Sequence, residues 1–467
     1  MVEYQEYKDI DLPWLKKIPA TWNIKRNKQF LHECKETVGA ESSEYTLLSL
    51  TLRGIVVRDL SENKGKIPAS FDTYKIVEPG DIVFCLFDID ETPRTVGLSK
   101  NRGMLTGAYN VFHIDGINAQ YLYYYYLALD NVKALRPLYT GLRKTINVNT
   151  FLSQAMPVPP RAEQDQIMRF LDWKVSEINK LIGIRRKEIS EFNELILKIT
   201  DTYVTHGTRR PVDYQCTGID WAPEIPTNWS LSKIRHHFEI KKRIAGSDGY
   251  DVFSVTQKGL KVRDIHLYEG QLAADYSGYQ FVQEGEFAMN HMDLLTGGVG
   301  IADHLGVTSP DYRVFRLFDT EHCYAPYFLK ILQLCYRRHA FYRFGHGAAN
   351  VGRWRLPADA FLNFQIPLPS YEEQVEIVQK IAAVQGRIDA EVESLRKQIE
   401  ELEELKSVVV SDVVTGKIDV RGITVPQYEH IDGIAEDDSE DVKEETDREE
   451  EPWPLQTELR RASRPLS

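Results

Sequence analysis

Two stretches of the chain carry apolar residues at alternating gaps of three and four. The first follows Pro160 and holds Ile178, Ile182, Ile189, Phe192, Ile196, Ile199 and Tyr203, with Arg185 filling the seam inside the gap of seven. The second follows Pro369 and holds Ile377, Ile381, Val384, Ile388, Val392, Leu395, Ile399, Leu402, Val409 and Val413, with Lys406 in the seam of its last gap. Such spacing over several heptads predicts coiled-coil helices rather than surface helices. Ser370 and Glu373 have the spacing of a capping box at the second start, and Gly207 and Gly416 stand where C-caps belong. Each helix is predicted at about 43 residues, roughly 65 Å at 1.5 Å per residue. Neither has a partner in its own half. The two are therefore expected to pair antiparallel through Ile178, Ile182, Ile189, Phe192, Ile196 and Ile199 against Ile381, Val384, Ile388, Leu395, Ile399 and Leu402. A duplicated domain-plus-helix unit closes most simply about a pseudo-twofold axis.

Ahead of each helix the pattern changes. Alternating and apolar runs at Thr46–Val57, Asp81–Phe87 and Asp251–Val262 predict strands, punctuated by Gly and Pro. Short helices are predicted at Ala119–Ala134 and Ala325–His339. These segments also repeat. Ile18-Pro-Ala-Thr-Trp22 matches Ile225-Pro-Thr-Asn-Trp229 at an offset of 207. Tyr45–Asp59 matches Tyr250–Asp264 at 205, with 7 identities in 15. Tyr74–Gly80 matches Tyr279–Gly285 at 205, and Pro157–Gln164 matches Pro367–Gln374 at 210. A period this long excludes a solenoid and indicates a duplicated globular unit. The expected fold class is α+β, with two similar mixed α/β domains joined by two long antiparallel coiled-coil helices. The expected boundaries are 1–160 for the first domain, 161–207 for the first helix, 208–369 for the second domain, 370–416 for the second helix and 417–467 for a C-terminal extension.

Composition is that of a soluble globular protein, with 42% hydrophobic and 27% charged residues in 467. No secretory leader is expected at Met1–Ile10, and the longest apolar run, Tyr121–Leu129, is far short of a bilayer span. Cys34, Cys85, Cys216, Cys323 and Cys335 form no CxxC pair, so reduced thiols in a cytoplasm are expected and no metal site is predicted. The net charge of −12 is unevenly placed: from Glu429 onward there are 14 acidic and 5 basic residues. The body is close to neutral, and the acidic run Glu436–Glu451 is expected to be disordered.

Catalytic signatures are missing. The sequence has no phosphate-binding Gly-x-x-x-x-Gly-Lys-Ser/Thr loop, no Gly-x-Ser-x-Gly elbow, no His-Glu-x-x-His helix and no Asn/Asp-Pro-Pro-Tyr tetrapeptide. Asp88, Asp90 and Glu91 read as a solvated acidic turn, since the second copy matches them only with Asp293.

The basic segments point instead to nucleic acid. Tyr336–Arg355 holds Arg337, Arg338, Arg343, Arg353 and Arg355 with His346 and Asn350, and no acidic residue. The first copy has a weaker counterpart in Arg143, Lys144 and Asn147. Arginine pairs with phosphate or with the O6/N7 edge of guanine, and asparagine with adenine. Lys241, Lys242 and Arg243, the matched pair Arg53 and Lys258, and Lys64 with Lys66 are further candidates. Tyr342 and Trp354 are expected in the core.

The order of these motifs resembles the specificity subunit of Type I restriction-modification systems over roughly residues 10–420. The resemblance rests on Pro19/Trp22 with Pro226/Trp229, on Pro157, Pro159, Glu163 and Gln164 with Pro367, Pro369, Glu373 and Gln374, and on the closing Val414–Asp419. It implies two target recognition domains, each reading one half of a split site in double-stranded DNA, with the helices setting the spacing. It also implies docking of two modification subunits that methylate adenine, joined by restriction subunits. S-adenosylmethionine, ATP and Mg2+ would sit on those partners, with no cofactor and no catalysis on this chain and no membrane association.

Overall fold

The computed structural model describes residues 2–58, 70–139, 144–209, 213–264, 275–347 and 354–431. The chain forms two compact units, one of Met1–Arg186 with Arg396–Ser467, the other of Lys187–Leu395.

In the first unit, a hairpin of Tyr7–Leu12 with Leu15–Pro19 precedes a four-stranded antiparallel sheet. Its strand order is Leu31–Cys34, Asn110–Ile114, Ile82–Phe84, Val96–Leu98. Helix α1 (Ala119–Asn131) begins where Asn118 caps it, the Asn118 side chain accepting from the N–H groups of Gln120 and Tyr121. Its buried Tyr121, Leu122, Tyr125 and Tyr126 pack on the sheet through Phe84 and Phe112. Helix α2 (Val148–Ser153) then leads into Ala155–Val158, which pairs antiparallel with Asn23–Arg26. Pro159 and Pro160 end that strand, and α3 (Arg161–His206) starts at once. The 46 residues of α3 are shared between the two units.

The second unit repeats this order. Its sheet runs Phe238–Lys241, Arg313–Leu317, Phe287–Met289, Val299–Ile301. Helix α4 (Ala325–Arg337) covers it, α5 (Ala358–Asn363) follows, and Gln365–Leu368 pairs with Ser230–Lys233. Helix α6 (Tyr371–Val414) closes the repeat with 44 residues. In both copies a hairpin lies across the sheet edge: Leu48–Thr51 with Gly54–Val57, and Phe253–Thr256 with Gly259–Val262. The crossing is close. A Cβ on Gly97 would stand 2.6 Å from the Leu50 side chain, and one on Gly300 2.4 Å from the Leu260 backbone nitrogen. The predicted strand runs and short helices appear here, with Thr46–Val57 and Asp251–Val262 each folded into a hairpin whose second strand opens on a glycine, Gly54 or Gly259.

Within each unit, the end of one long helix packs at the start of the other. In the first, Val409, Val410, Val413 and Val414 of α6 join one core with Ile167, Met168 and Leu171 of α3. In the second, Val204 of α3 joins a core with Ile377 and Ile381 of α6. A further cluster unites Ile189, Phe192 and Ile196 with Val384, Ile388 and Val392. Ile178, Ile182 and Leu395 are buried, while Ile199, Ile399 and Leu402 are half-buried.

The repeated motifs meet at these junctions. The indole N–H of Trp22 donates to Glu163 Oε1 at 2.9 Å, and that of Trp229 to Glu373 Oε2 at 2.9 Å. Tyr4 donates to Glu163 as well, at 2.6 Å. Burial, reinforced by that carboxylate, holds the Tyr4 hydroxyl protonated far above the usual tyrosine range. Gln164 accepts the Asn118 N–H at 2.9 Å and donates to the Pro159 carbonyl at 2.9 Å. Gln374 does the same with Tyr324 (2.8 Å) and Pro369 (3.1 Å). The predicted capping box is half realised: Ser370 Oγ accepts the Glu373 N–H at 3.3 Å, but the Glu373 carboxylate is committed to Trp229. Gly207 and Gly416 end their helices in the left-handed region, φ +78° and +77°, as a C-cap requires. A Cβ on Gly416 would stand 2.4 Å from Pro19, and one on Gly207 3.0 Å from Glu373.

The chain after α6 is not free along its described length. Gln166 donates to the carbonyls of Val420 (3.1 Å) and Ile423 (2.7 Å), Asn179 donates to that of Ile431 (3.0 Å), and Val420 is fully buried. The acidic run Glu436–Glu451 lies outside the described residues.

Removing an indole donor leaves a carboxylate short of a partner, buried at Glu163 and half-buried at Glu373, which costs about 1–3 kcal/mol, the larger end at Glu163. Trp22→Phe and Trp229→Phe are each expected to lower the urea midpoint accordingly, followed by circular dichroism. Gly416→Ala is expected to destabilise too, through its positive φ and its contact with Pro19.

Candidate nucleic-acid interface

The matched basic residues Arg53 and Lys258 occupy the same turn of the two hairpins. Thr51 Oγ1 accepts the Arg53 N–H and donates to the Gly54 carbonyl, and Thr256 does the same for Lys258 and Gly259. Both side chains are exposed at the hairpin tip. Lys64 and Lys66, which follow the first hairpin, lie outside the described residues, as do Arg143, Asn350 and Arg353.

In the second copy, segments far apart in sequence converge on His291. Its ring is pushed down to about 4, first by burial and then by the positive charge of Arg313, Arg355 and Lys242 nearby. The Leu356 N–H donates to the His291 carbonyl at 2.9 Å, and Arg355 forms a two-hydrogen-bond bridge with His346. Lys242, His346 and Arg355 are exposed. Arg313 is buried: it donates to the Leu356 carbonyl at 2.8 Å, lies over the Phe361 ring and is pushed down to about 10 by burial.

The other predicted cations divide by partner. Arg338 is bound by Asp201 of α3 at 2.6 Å, where burial pushes the carboxyl up against the pull of the guanidinium. Arg343 pairs with Asp220, Arg243 with the buried Glu286, and Lys241 with Glu239 at 2.5 Å. Lys144 pairs with Glu91 and, at 3.3 Å, with Asp90; together these acids hold its ammonium above the ordinary lysine range. Asn147 caps α2, its side chain accepting the Asn149 N–H at 2.8 Å. These side chains are directed at groups of this chain. Arg337, Lys242, Lys258 and Arg355 are exposed and have no ion pair among the described residues.

The acidic turn Asp88–Glu91 is held by its own chain: Tyr139 donates to Asp90 at 2.6 Å, and Asp88 accepts the N–H groups of Glu91 and Thr92. Asp293 likewise accepts from Leu295 and Thr296. The core expectation needs correction for Tyr342, whereas Trp354 packs against the core of the second unit. Tyr342 is exposed and Trp354 half-buried, and the two rings stack at 5.4 Å, with the indole donating to the Tyr342 carbonyl at 2.6 Å. Tyr342 thus lies on the surface, with Trp354 at the margin of the second unit's core. The sequence reading missed Glu286, Asp201 and Asp220 as arginine partners, because no local spacing joins them. It also missed Arg313, whose single apolar-flanked position gave no sign of the basic convergence.

This duplicated architecture shares its fold with a chain of a Type I restriction-modification system. That chain, from a solved structure on complex assembly and conformational transition of the Type I system, superimposes with a TM-score of 0.54 at 12% identity, covering 86% of this chain and 99% of that one. A looser likeness, TM-score 0.40 at 13% identity over 86% of this chain and 98% of the other, is to the HsdS subunit from Thermoanaerobacter tengcongensis. Among curated proteins, the chain is similar to the Type I restriction enzyme MjaVIII specificity subunit of Methanocaldococcus jannaschii. The two are 24% identical over 296 residues, 60% of this chain and 65% of that protein, so the match spans just under two thirds of the relative. No protein-family model matches the chain. The resemblance read from the repeated motifs is thus the one that the curated relatives carry. No helix among the described residues is long and apolar enough to cross a membrane.

His291 supplies a pH test. Its folded value of about 4 lies below the ordinary 6.5, so its neutral form is required in the folded state. The stability it contributes is present above about 6.5 and is lost as pH falls towards 4. Thermal melts between pH 7 and 4.5 are expected to fall less steeply for His291→Gln than for the parent chain.

Proposed function

We propose that this chain is the DNA sequence-reading subunit of a Type I restriction-modification complex and performs no chemistry itself. The observation that carries the reading is the duplication of one mixed fold, each copy presenting a basic residue at the same hairpin tip and each followed in the chain by a long helix. In this reading the domains bounded at 1–160 and 208–369 are target recognition domains, each reading one half of a bipartite site. The helices pair antiparallel as a coiled coil, set the separation of the half-sites and dock two modification subunits that methylate adenine. Restriction subunits complete the assembly, and S-adenosylmethionine, ATP and Mg2+ belong to those partners. A complex acting on chromosomal DNA places the chain in the cytoplasm.

The charge distribution supports this division of labour. Phosphate contacts supply most sequence-independent affinity and make it salt-dependent. A body close to neutral, with several of its arginines already paired internally, offers few such contacts alone. Arg53, Lys258, Lys242, Arg337 and Arg355 are the proposed DNA-facing cations, with His346 beside them, while Arg338, Arg343 and Arg243 are assigned to holding the fold.

Purified chain is expected to bind duplex DNA weakly, and the complex with its modification subunits strongly and with steep salt dependence; equal affinity in both states would overturn the proposal. In that complex, Lys258→Ala and Arg355→Ala should each reduce affinity and lower the salt slope by about 1 if they contact phosphate, or relax specificity in one half-site if they contact bases. Sequencing of adenine methylation in a host with and without the gene reads out the half-sites. Insertion of one heptad in both α3 and α6 adds roughly 10 Å of helix. It is expected to widen the methylated site by about three base pairs, each about 3.4 Å of axis.

A further inference from the structure

In the second copy, three side chains of different chemistry meet at one point. His237 immediately precedes the strand Phe238–Lys241, and Asp319 and Cys323 lie on the loop that leads into α4. His237 Nδ1 is 3.2 Å from Cys323 Sγ and 3.3 Å from Asp319 Oδ2, and that oxygen is 3.7 Å from Sγ. His237 and Cys323 are 6% and 2% exposed. A Cys–His–acid relay would place thiol and carboxylate on opposite ring nitrogens. Here both face Nδ1, and Nε2 is occupied by Ser232 Oγ at 2.7 Å. The carboxylate oxygen can accept from both ring nitrogen and thiol, but at 3.3 and 3.7 Å both contacts are long, while nitrogen and sulfur face each other at 3.2 Å. Nitrogen, oxygen and sulfur converging on a common centre is what tetrahedral zinc requires. Bonds of about 2.3 Å to sulfur and about 2.0–2.2 Å to nitrogen and oxygen imply donor separations of roughly 3.3–3.7 Å. The Ser232 contact is the kind of outer hydrogen bond that fixes the ring of a metal-ligating histidine.

The first copy shows what the same place looks like without these groups. The Asp115 N–H donates to the Phe30 carbonyl, and the Phe318 N–H donates to that of His237, both at 3.0 Å, so Phe30 corresponds to His237. Asn118 and Tyr324 both give their N–H to the glutamine at the start of a long helix, so the residues before them, Ile117 and Cys323, also correspond. Phe30 and Ile117 are buried in the apolar core of the first unit. The second copy replaces this hydrocarbon pair by imidazole and thiol, and adds Asp319 on a longer connection. Buried polar groups that displace packed hydrocarbon need a partner that repays their desolvation.

We propose that His237, Asp319 and Cys323 form a zinc(II) site in the second recognition domain. His322 orients the carboxylate through its other oxygen, at 3.0 Å, and water takes the fourth position on the exposed side. The ion ties the edge of the sheet to the loop whose His322 carbonyl receives the Gln374 amide, and so to the first turn of α6. No cysteine spacing announces it, which is why the sequence reading predicted no metal.

The test is metal analysis of the full chain purified under reducing, chelator-free conditions, with cobalt(II) as the optical probe. One zinc per chain is expected, with a thiolate-to-cobalt charge-transfer band on substitution. Cys216→Ser, which removes an exposed thiol of the same unit, should keep both signals. His237→Phe with Cys323→Ile restores the first copy's apolar pair and should fold while binding no metal. If that variant fails to fold, Cys323→Ser and Asp319→Asn singly should each weaken zinc affinity at least tenfold. Parent chain with no zinc and no charge-transfer band, or metal content unchanged by the His237, Asp319 or Cys323 variants, overturns the proposal. Neither readout depends on DNA recognition, so its failure is separable from that of the proposed function.

Discussion

A carboxylate at the start of each long helix, buried in the first copy and half-buried in the second, ties a domain to its helix. Glu163 and Glu373 each accept an indole N–H from a tryptophan more than a hundred residues away in sequence. A charge withdrawn from water needs hydrogen-bond partners: buried Glu163 has Trp22 and Tyr4, and half-buried Glu373 has Trp229. Beside each pair lies a glycine that ends the other long helix, where a side chain would collide with Pro19 or Glu373. The same few atoms therefore close a domain, start one helix and stop the other.

That arrangement explains the twice-written motifs. The prolines end the strand and supply a carbonyl, the glutamine clamps that carbonyl to the N-terminus of α1 or α4, and the glutamate waits for the tryptophan. None of these residues needs to touch a ligand. They build a hub from which the hairpins and basic loops can differ between copies, as residues 141–147 and 347–353 do.

Charge is sorted by contacts between elements distant in sequence. Arg338 reaches α3 through Asp201, and Arg243 is drawn to the buried Glu286. Lys242 and Arg355, from segments a hundred residues apart, instead gather around His291 and face solvent. In a sequence window an arginine with no acid nearby reads as available. In the fold its acid arrives from another element, so local charge counts overstate the basic surface.

The two long helices, their ends at Gly207 and Gly416 and the repeated element order were legible from the chain, because apolar periodicity, C-caps and repeats are written in local residue order. The runs Thr46–Val57 and Asp251–Val262, read as single strands, proved to be hairpins that turn just before Gly54 and Gly259. Which arginines are spent on carboxylates, where Tyr342 and Trp354 lie, and the meeting of His237, Asp319 and Cys323 were decided only by tertiary structure. Those outcomes depend on distances between elements separated by many residues, and periodicity carries no information about such distances.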